Sequence, residues 1–195
     1  MFRRLSLAAI MSAATAAPAL AHLDPQAHGS FMAGVSHPLF GADHILAMVA
    51  VGLWASQIAS GAGRRSALWA VPAAFVGTMA LGYAGAVAGL GLPFVEPAIL
   101  ASVVALGLLV AMAARLPVAA SAAVVGIFAL FHGHAHGGEL GSAGALQFGI
   151  GFVVATALLH TGGIVLGLGI GRFAPVATRI IGALTALAGL SLAFG

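Results

Sequence analysis

Residues 144–170 read GALQFGIGFVVATALLHTGGIVLGLGI and contain no Asp, Glu, Lys or Arg. A helix needs about 20 consecutive apolar residues to cross the hydrocarbon core of a bilayer, so this stretch predicts a transmembrane helix. Its one titratable side chain is His160. Ionisable groups inside a span are expensive, which makes this histidine either a functional group or a buried group satisfied by a neighbouring helix.

The same apolar pattern recurs along the chain, with breaks of a few residues that carry Arg, Gly or Pro. The candidate spans are residues 38–59, 67–90, 97–114, 118–134, 144–170 and 175–194. The connections between them leave no room for a soluble domain. We therefore predict an all-α, polytopic membrane protein: one transmembrane domain over residues 22–195, built as a bundle of six transmembrane helices with short loops.

Composition excludes the water-soluble classes of protein. Charged residues make up 6% of the 195 residues, and hydrophobic residues make up 62%, whereas a soluble domain is roughly 25% charged. Seven arginines and no lysine do not provide the basic surface that nucleic acid requires. The absence of Cys excludes disulfides and thiolate metal sites. Eight His against four carboxylates is the unusual feature.

Residues 1–21 have the pattern of a secretory signal peptide. Arg3 and Arg4 precede the short apolar stretch 5–17, and an Ala-Leu-Ala cleavage signal occupies residues 19–21. The alternative is an uncleaved first transmembrane helix, for which the stretch is short. Cleavage after Ala21 is the expectation, and it leaves His22 at the new N-terminus.

The arginines predict the orientation of the bundle. If the mature N-terminus lies outside and the spans alternate, five arginines fall at cytoplasmic ends and none at outer ends, in agreement with the positive-inside rule. They are Arg64, Arg65, Arg115, Arg172 and Arg179. Trp54 and Trp69 flank the Arg64–Arg65 loop, as an aromatic belt would. All acids and seven of the eight His then fall in the outer half, which favours capture of a cation from outside.

The first group of candidate ligands is His37, Asp43 and His44, with Met48 one turn further along. On a straight helix His37 and His44 would share a face but lie about 10 Å apart along the axis, too far to bind one ion. Pro38 and Gly41 allow a broken or late-starting helix that brings them together. Asp43 either binds metal directly or orients a His ring. Met48 is a weaker candidate, because core packing explains it equally well.

The second group lies at the end of the fourth span. His132 and His136 are four residues apart on one helical face, a spacing that lets two imidazoles meet one ion. Gly137 and Gly138 end the helix and let Glu139 turn toward the same ion. His134 points elsewhere, toward water or another helix. We expect the two groups to form one site, because neither alone supplies enough ligands.

Two further histidines precede the first span. His22 and His28 belong to a segment that either gathers metal outside and passes it to the intramembrane site or is a tail with chance His. His ligands with carboxylates indicate a borderline divalent ion, and their spacing does not distinguish Ni, Co, Zn and Cu.

Taken together, these motifs resemble the HupE/UreJ family of nickel permeases. The residues that carry the resemblance are His37-Pro38, Gly41-x-Asp43-His44, Met48 and Phe131-His132-Gly133-x-Ala135-His136-Gly137-x-Glu139. The His-x5-Asp-His element is also similar to the intramembrane motif of the larger nickel/cobalt transporters. The resemblance covers the whole chain.

The resemblance implies a multi-pass protein of the bacterial inner membrane, with mature N- and C-termini in the periplasm. It implies uptake of Ni²⁺, or Co²⁺, as a transported substrate with no prosthetic group, in support of hydrogenase or urease maturation. The residues that it implies for transport are His37, Asp43, His44, His132, His136 and Glu139. Oligomeric state does not follow from it.

Two other functions fit the same ligands. An intramembrane zinc-dependent hydrolase would use three His to hold a metal that activates water. A non-transporting metal sensor or chaperone subunit would bind metal at the outer face and move none. We favour a permease, and no enzyme activity, because His160 and the glycine-rich fifth span suggest a route to the other face.

Overall fold

The computed structural model describes residues 25–62, 64–138 and 144–195. Within these ranges the regular structure is entirely helical, which confirms the predicted class; the predicted signal peptide lies outside them. The helices are α1 (Pro25–Phe40), α2 (Ala42–Ala59), α3 (Ala67–Val87), α4 (Val95–Ala111), α5 (Val118–Gly138), α6 (Ala145–Phe173) and α7 (Pro175–Phe194).

Five of these helices are long and apolar enough to cross a membrane: α2, α3, α5, α6 and α7. Helix α4 is also apolar but has only 17 residues. The outward faces carry large apolar side chains; Leu81 is 68% exposed and Leu158 is 64% exposed. Such a surface suits lipid rather than water, because monomeric soluble proteins rarely expose large contiguous apolar patches.

The first predicted span, 38–59, is wrong at its start. Residues 25–40 form a helix of their own, and Gly41, with extended backbone (φ −89°, ψ 116°), separates it from α2. The apolar pattern does not mark α1, because Gly, Ser, Pro and His interrupt it. Packing stabilises it instead: Gly34 of α1 lies directly against the backbone of Phe148 in α6.

Helix α6 is the backbone support for both α1 and α2. Gly151 meets the backbone of Phe31, and further along α6 Gly163 meets that of Val49. From the first of these contacts to the second, the residue numbers rise both in α6 and in the α1–α2 segment. Helices α1 and α2 therefore run along α6 as two parts of one interrupted helix. Only glycine permits such close approach of helix backbones.

Pairs of glycines four residues apart allow helices to approach closely, and two such pairs in this chain differ in what they contact. Gly163 and Gly167 lie against α2, as the pattern predicts. Gly85 meets only the tip of Leu90, and Gly89 has open space around it. Gly89 has a positive φ of 82°, so it ends α3 instead of packing against a neighbour.

Helix α2 lies at the centre of the bundle and packs against α1, α3, α4, α6 and α7. In the apolar 18-residue stretch of α2, 61% is buried inside the bundle, whereas the corresponding share in the other four long helices is 28–33%. Around it, α3 pairs with α5 and α4 pairs with α7. A Cβ at Gly133 of α5 would overlap the carbonyl oxygen of Met79 in α3. A Cβ at Gly107 of α4 would lie 2.5 Å from the backbone nitrogen of Ala186 and 2.8 Å from the carbonyl oxygen of Gly182, both in α7.

Arginines collect at the end of the bundle where α2, α4 and α6 finish. Arg115, Arg172 and Arg179 line one cavity there, about 20 Å along α2 from His44. The proposed aromatic belt is half wrong. Trp69 is 68% exposed, but Trp54 is fully buried and its Nε1 donates to the Ala114 carbonyl 2.8 Å away.

Candidate metal-binding site

Four histidine rings from three helices meet at the end of the bundle opposite the arginines. His37 comes from the last turn of α1, His44 from the first turns of α2, and His132 and His136 from the end of α5. The ring centroids of His37 and His136 are 4.4 Å apart, those of His44 and His136 are 4.5 Å apart, and those of His44 and His132 are 5.3 Å apart. We call these four residues the histidine cluster.

The break at Gly41 brings the cluster together. The His37 and His44 ring centroids are 6.0 Å apart, well inside the roughly 10 Å that a straight helix would impose. A Cβ at Gly41 would lie 2.6 Å from His44 Nδ1 and 2.9 Å from Asp43 Oδ1. Glycine at this position therefore leaves room for the next two functional side chains.

Asp43 determines which nitrogen His44 presents to the cluster. His44 Nδ1 lies 2.7 Å from Asp43 Oδ1. A carboxylate only accepts, so Nδ1 donates the proton and Nε2 carries the lone pair. Of the two roles open to Asp43, this geometry fits an orienting carboxylate behind a ligand histidine.

Ser102 of α4 determines which nitrogen of His132 carries the lone pair. Its hydroxyl donates to the Ile99 carbonyl at 2.6 Å and lies 2.9 Å from His132 Nε2. The hydroxyl hydrogen is thus already used, so the serine oxygen accepts from Nε2–H. His132 Nδ1 then carries a lone pair, and it has no hydrogen-bond partner among the described residues.

His44 and His136 are the closest pair in the cluster. Their Nε2 atoms are 2.5 Å apart, whereas two nitrogens that share an ion at about 2.1 Å each lie about 3 Å apart or more. Over the described ranges, no three His, Asp or Glu side chains form a ready-made ion site. A shared ion would therefore need these two nitrogens to lie about 0.5 Å or more further apart.

Aromatic rings of α6 pack against one side of the histidine cluster. Phe152 lies 4.5 Å from the His136 ring centroid, and Phe148 lies 5.7 Å from that of His37. The sequence does not predict a role for these phenylalanines or for Ser102. Each is an ordinary residue of an apolar helix, and only the packing of the helices places it beside the cluster.

His160 lies deeper in the bundle than the histidine cluster. It is 1% exposed, and neither ring nitrogen has a hydrogen-bond partner in the described part of the chain. The Phe75 ring lies between the two: its centroid is 4.9 Å from that of His160 and 5.7 Å from that of His132. No sequence pattern distinguishes Phe75 from the other apolar residues of α3.

The remaining candidates lie apart from the cluster or outside the described residues. His134 points to the α3–α4 loop, where its Nε2 donates to the Leu90 carbonyl at 2.7 Å. Met48 is fully buried in the apolar core. His28 falls within α1, but its side chain is not described. His22 and Glu139 lie outside the described residues.

Comparison with known proteins agrees with the motifs. The family model for HupE / UreJ protein matches residues 9–192. The chain belongs to the HupE/UreJ family. The two motifs that form the cluster of this HupE/UreJ protein both lie inside the matched range.

A curated relative is similar over nearly the full length. Protein HupE of Rhizobium leguminosarum bv. viciae is 46% identical over 186 residues, which cover 94% of this chain and 95% of the relative. No solved structure matches the chain.

Proposed function

We propose that this protein carries a divalent transition-metal ion, nickel with cobalt as the alternative, inward across the bacterial inner membrane. The observation that carries the proposal is the histidine cluster itself: four imidazoles from three helices, two of them with a lone pair set by Asp43 and Ser102. Neutral imidazole is a good ligand for nickel. Family membership supports the same function.

The proposed metal ligands are His37, His44, His132 and His136, with Asp43 holding His44 and Glu139 as a further ligand. His44 and His136 approach each other through their Nε2 atoms, so a small side-chain adjustment lets one ion contact both rings.

His160 is the proposed inner station on the route. Its two ring nitrogens have no hydrogen-bond partner among the described residues, and its ring lies beyond Phe75 as seen from His132. An unpaired buried polar group is costly, so such a residue suits an intermittent ligand. Met48, His22, His28 and His134 have weaker claims, and we assign them no direct ligand role.

The proposed topology has six spans, with α4 as the short one, and both mature termini in the periplasm after removal of residues 1–21. The histidine cluster then faces the periplasm and the arginines face the cytoplasm. The metal is substrate, no prosthetic group is needed, and hydrogenase or urease maturation receives it.

The test is uptake of radioactive nickel and cobalt into proteoliposomes that contain only the purified full-length protein. We expect accumulation by the wild type and none by His44→Gln, with His134→Gln as a matched control outside the cluster. Binding without accumulation would overturn transport and favour the sensor. Metal-dependent cleavage of a lipid or peptide without accumulation would favour the hydrolase.

A further inference from the structure

A second site lies at the opposite end of the bundle from the histidine cluster. A cavity of about 600 Å³ opens there between the ends of α2, α4 and α6 and the start of α7. Arg115, Arg172 and Arg179 line it together with Gln57, Ser60 and Thr178. We call this the basic cavity.

The charge of the basic cavity is uncompensated by the described carboxylates. Asp43 is engaged with His44 at the other end of the bundle, and Glu96 begins α4 about 22 Å from the end of that helix. Three helix C-termini contribute about half a negative charge each, and the α7 N-terminus about half a positive charge. Roughly two positive charges remain.

The donors in the basic cavity suit an anion. Arg179 donates one hydrogen bond, from Nε to the Ala111 carbonyl at 2.7 Å; a guanidinium has five N–H donors, so others stay available. Arginine favours phosphate because its planar fork can donate two parallel hydrogen bonds. The hydroxyls of Ser60 and Thr178 also line the cavity, but each already donates to a backbone carbonyl, so the arginines are the donors for an anion.

Gln57 adds a hydrogen-bond acceptor to the arginine donors. Its Nε2 donates to the Val110 carbonyl at 3.1 Å, and its Oε1 is buried with no hydrogen-bond partner among the described residues. A carbonyl oxygen accepts only, so its partner must be a donor such as a hydroxyl. A ligand that combines phosphate with hydroxyl groups satisfies the arginines, and it also satisfies this oxygen if the Gln57 amide turns to bring the oxygen to the cavity surface.

We propose that the basic cavity binds a phosphate group, presented by the headgroup of an anionic lipid that carries free hydroxyls, such as phosphatidylglycerol. Basic pockets between transmembrane helices on the cytoplasmic side are suited to anionic headgroups. The volume of the cavity fits a headgroup, being within the range of small-molecule sites. The site does not depend on the proposed transport function.

The experiment measures thermal unfolding of the purified full-length protein in nonionic detergent, with phosphatidylglycerol, phosphatidylcholine or inorganic phosphate added at equal ionic strength. We expect saturable stabilisation by phosphatidylglycerol and none by phosphatidylcholine. Stabilisation of the same size by inorganic phosphate would support the site and identify free phosphate as its ligand. No stabilisation by either phosphate source would overturn the proposal.

Variants locate the effect. Arg115→Gln, Arg172→Gln and Arg179→Gln should each weaken the apparent affinity about tenfold, since a hydrogen bond to a charged group contributes about 1.5 kcal/mol or more. Arg64→Gln, at the same end but outside the cavity lining, is the matched control. Equal affinity in the cavity variants and the wild type would overturn the proposal. If a Gln variant fails to fold, the corresponding Lys variant keeps the charge and should still lose affinity, because it lacks the fork.

Discussion

Two side chains outside the histidine cluster decide which nitrogen His44 and His132 present. Asp43 accepts a hydrogen bond from Nδ1–H of His44, and Ser102 accepts one from Nε2–H of His132. The lone pairs that remain are on opposite nitrogens of the two rings. Such orienting partners matter nearly as much as the ligands, because a histidine in the wrong tautomer offers a proton instead of a lone pair.

Asp43→Asn should reduce nickel uptake by about 10- to 100-fold, the usual cost of losing an orienting partner. The amide keeps the shape but removes the charge, and it can present a donor to His44 instead of an acceptor. Uptake of radioactive nickel, normalised to protein in the membrane, measures the effect. His134→Ala is the control, since His134 is held by the Leu90 carbonyl away from the cluster. Normal transport by Asp43→Asn would remove the proposed role of this carboxylate.

Ser102→Ala should raise the nickel concentration needed for half-maximal uptake by about tenfold, because His132 is then free to place its proton on Nδ1. Ser102→Thr retains the hydroxyl and should transport nearly normally. Both are checked by uptake at a series of nickel concentrations. If Ala and Thr at this position behave alike, the hydroxyl does not set the His132 tautomer.

At the scale of helices, glycine contacts set the register of two histidines of the cluster. His132 and His136 each precede a glycine, Gly133 and Gly137, that lies on the backbone of α3. The α3–α5 contact therefore fixes the height and rotation of both rings. Small residues at such crossings are what lets transmembrane helices approach closely.

Gly133→Ala should lower the free energy of unfolding by about 1–3 kcal/mol and lower uptake, because its Cβ would meet the Met79 carbonyl and force α3 and α5 apart. Gly77→Ala in α3 is the matched control: its Cβ meets nothing within 4 Å, and alanine is the better helix former. Denaturation followed by tryptophan fluorescence compares them. Equal stability of the two variants would contradict a register role for Gly133.

Sequence patterns predict the helices that face lipid better than the contacts that build the site. The long apolar stretches mark α2 to α7, and the i,i+4 spacing marks His132 and His136 as one face. Helix α1 is not predicted, because its stability comes from packing against α6. The residues around the cluster cannot be predicted in this way, because their roles depend on which helices are neighbours and no local pattern contains that information. They are Ser102, Phe75, Phe148 and Phe152.

For the whole molecule, the separation of charge is the feature that organises function. Histidines gather at one end of the bundle and arginines at the other, about 20 Å apart along α2. The chain contains no cysteine, so a single introduced thiol reports the side of the membrane on which its loop lies.

Gly91→Cys, in the exposed loop before α4, should react with a membrane-impermeant maleimide in intact spheroplasts. Ser66→Cys, in the arginine loop before α3, should react only after the membrane is permeabilised. Both positions are exposed, so burial does not explain a difference. Labelling of Ser66→Cys alone in intact spheroplasts would reverse the proposed orientation and with it the direction of capture.

The membrane potential alone is a sufficient driving force for uptake in this orientation. Two charges moving inward through 100 mV gain about 4.6 kcal/mol, which is roughly a thousandfold in concentration. Proteoliposomes with an inside-negative potassium diffusion potential should therefore accumulate more nickel than those without one. The gain should vanish when the potential is collapsed, and it should be absent in His44→Gln. Accumulation that is indifferent to the potential would mean that another gradient is coupled to the ion, since an uncompensated divalent cation cannot cross without moving charge.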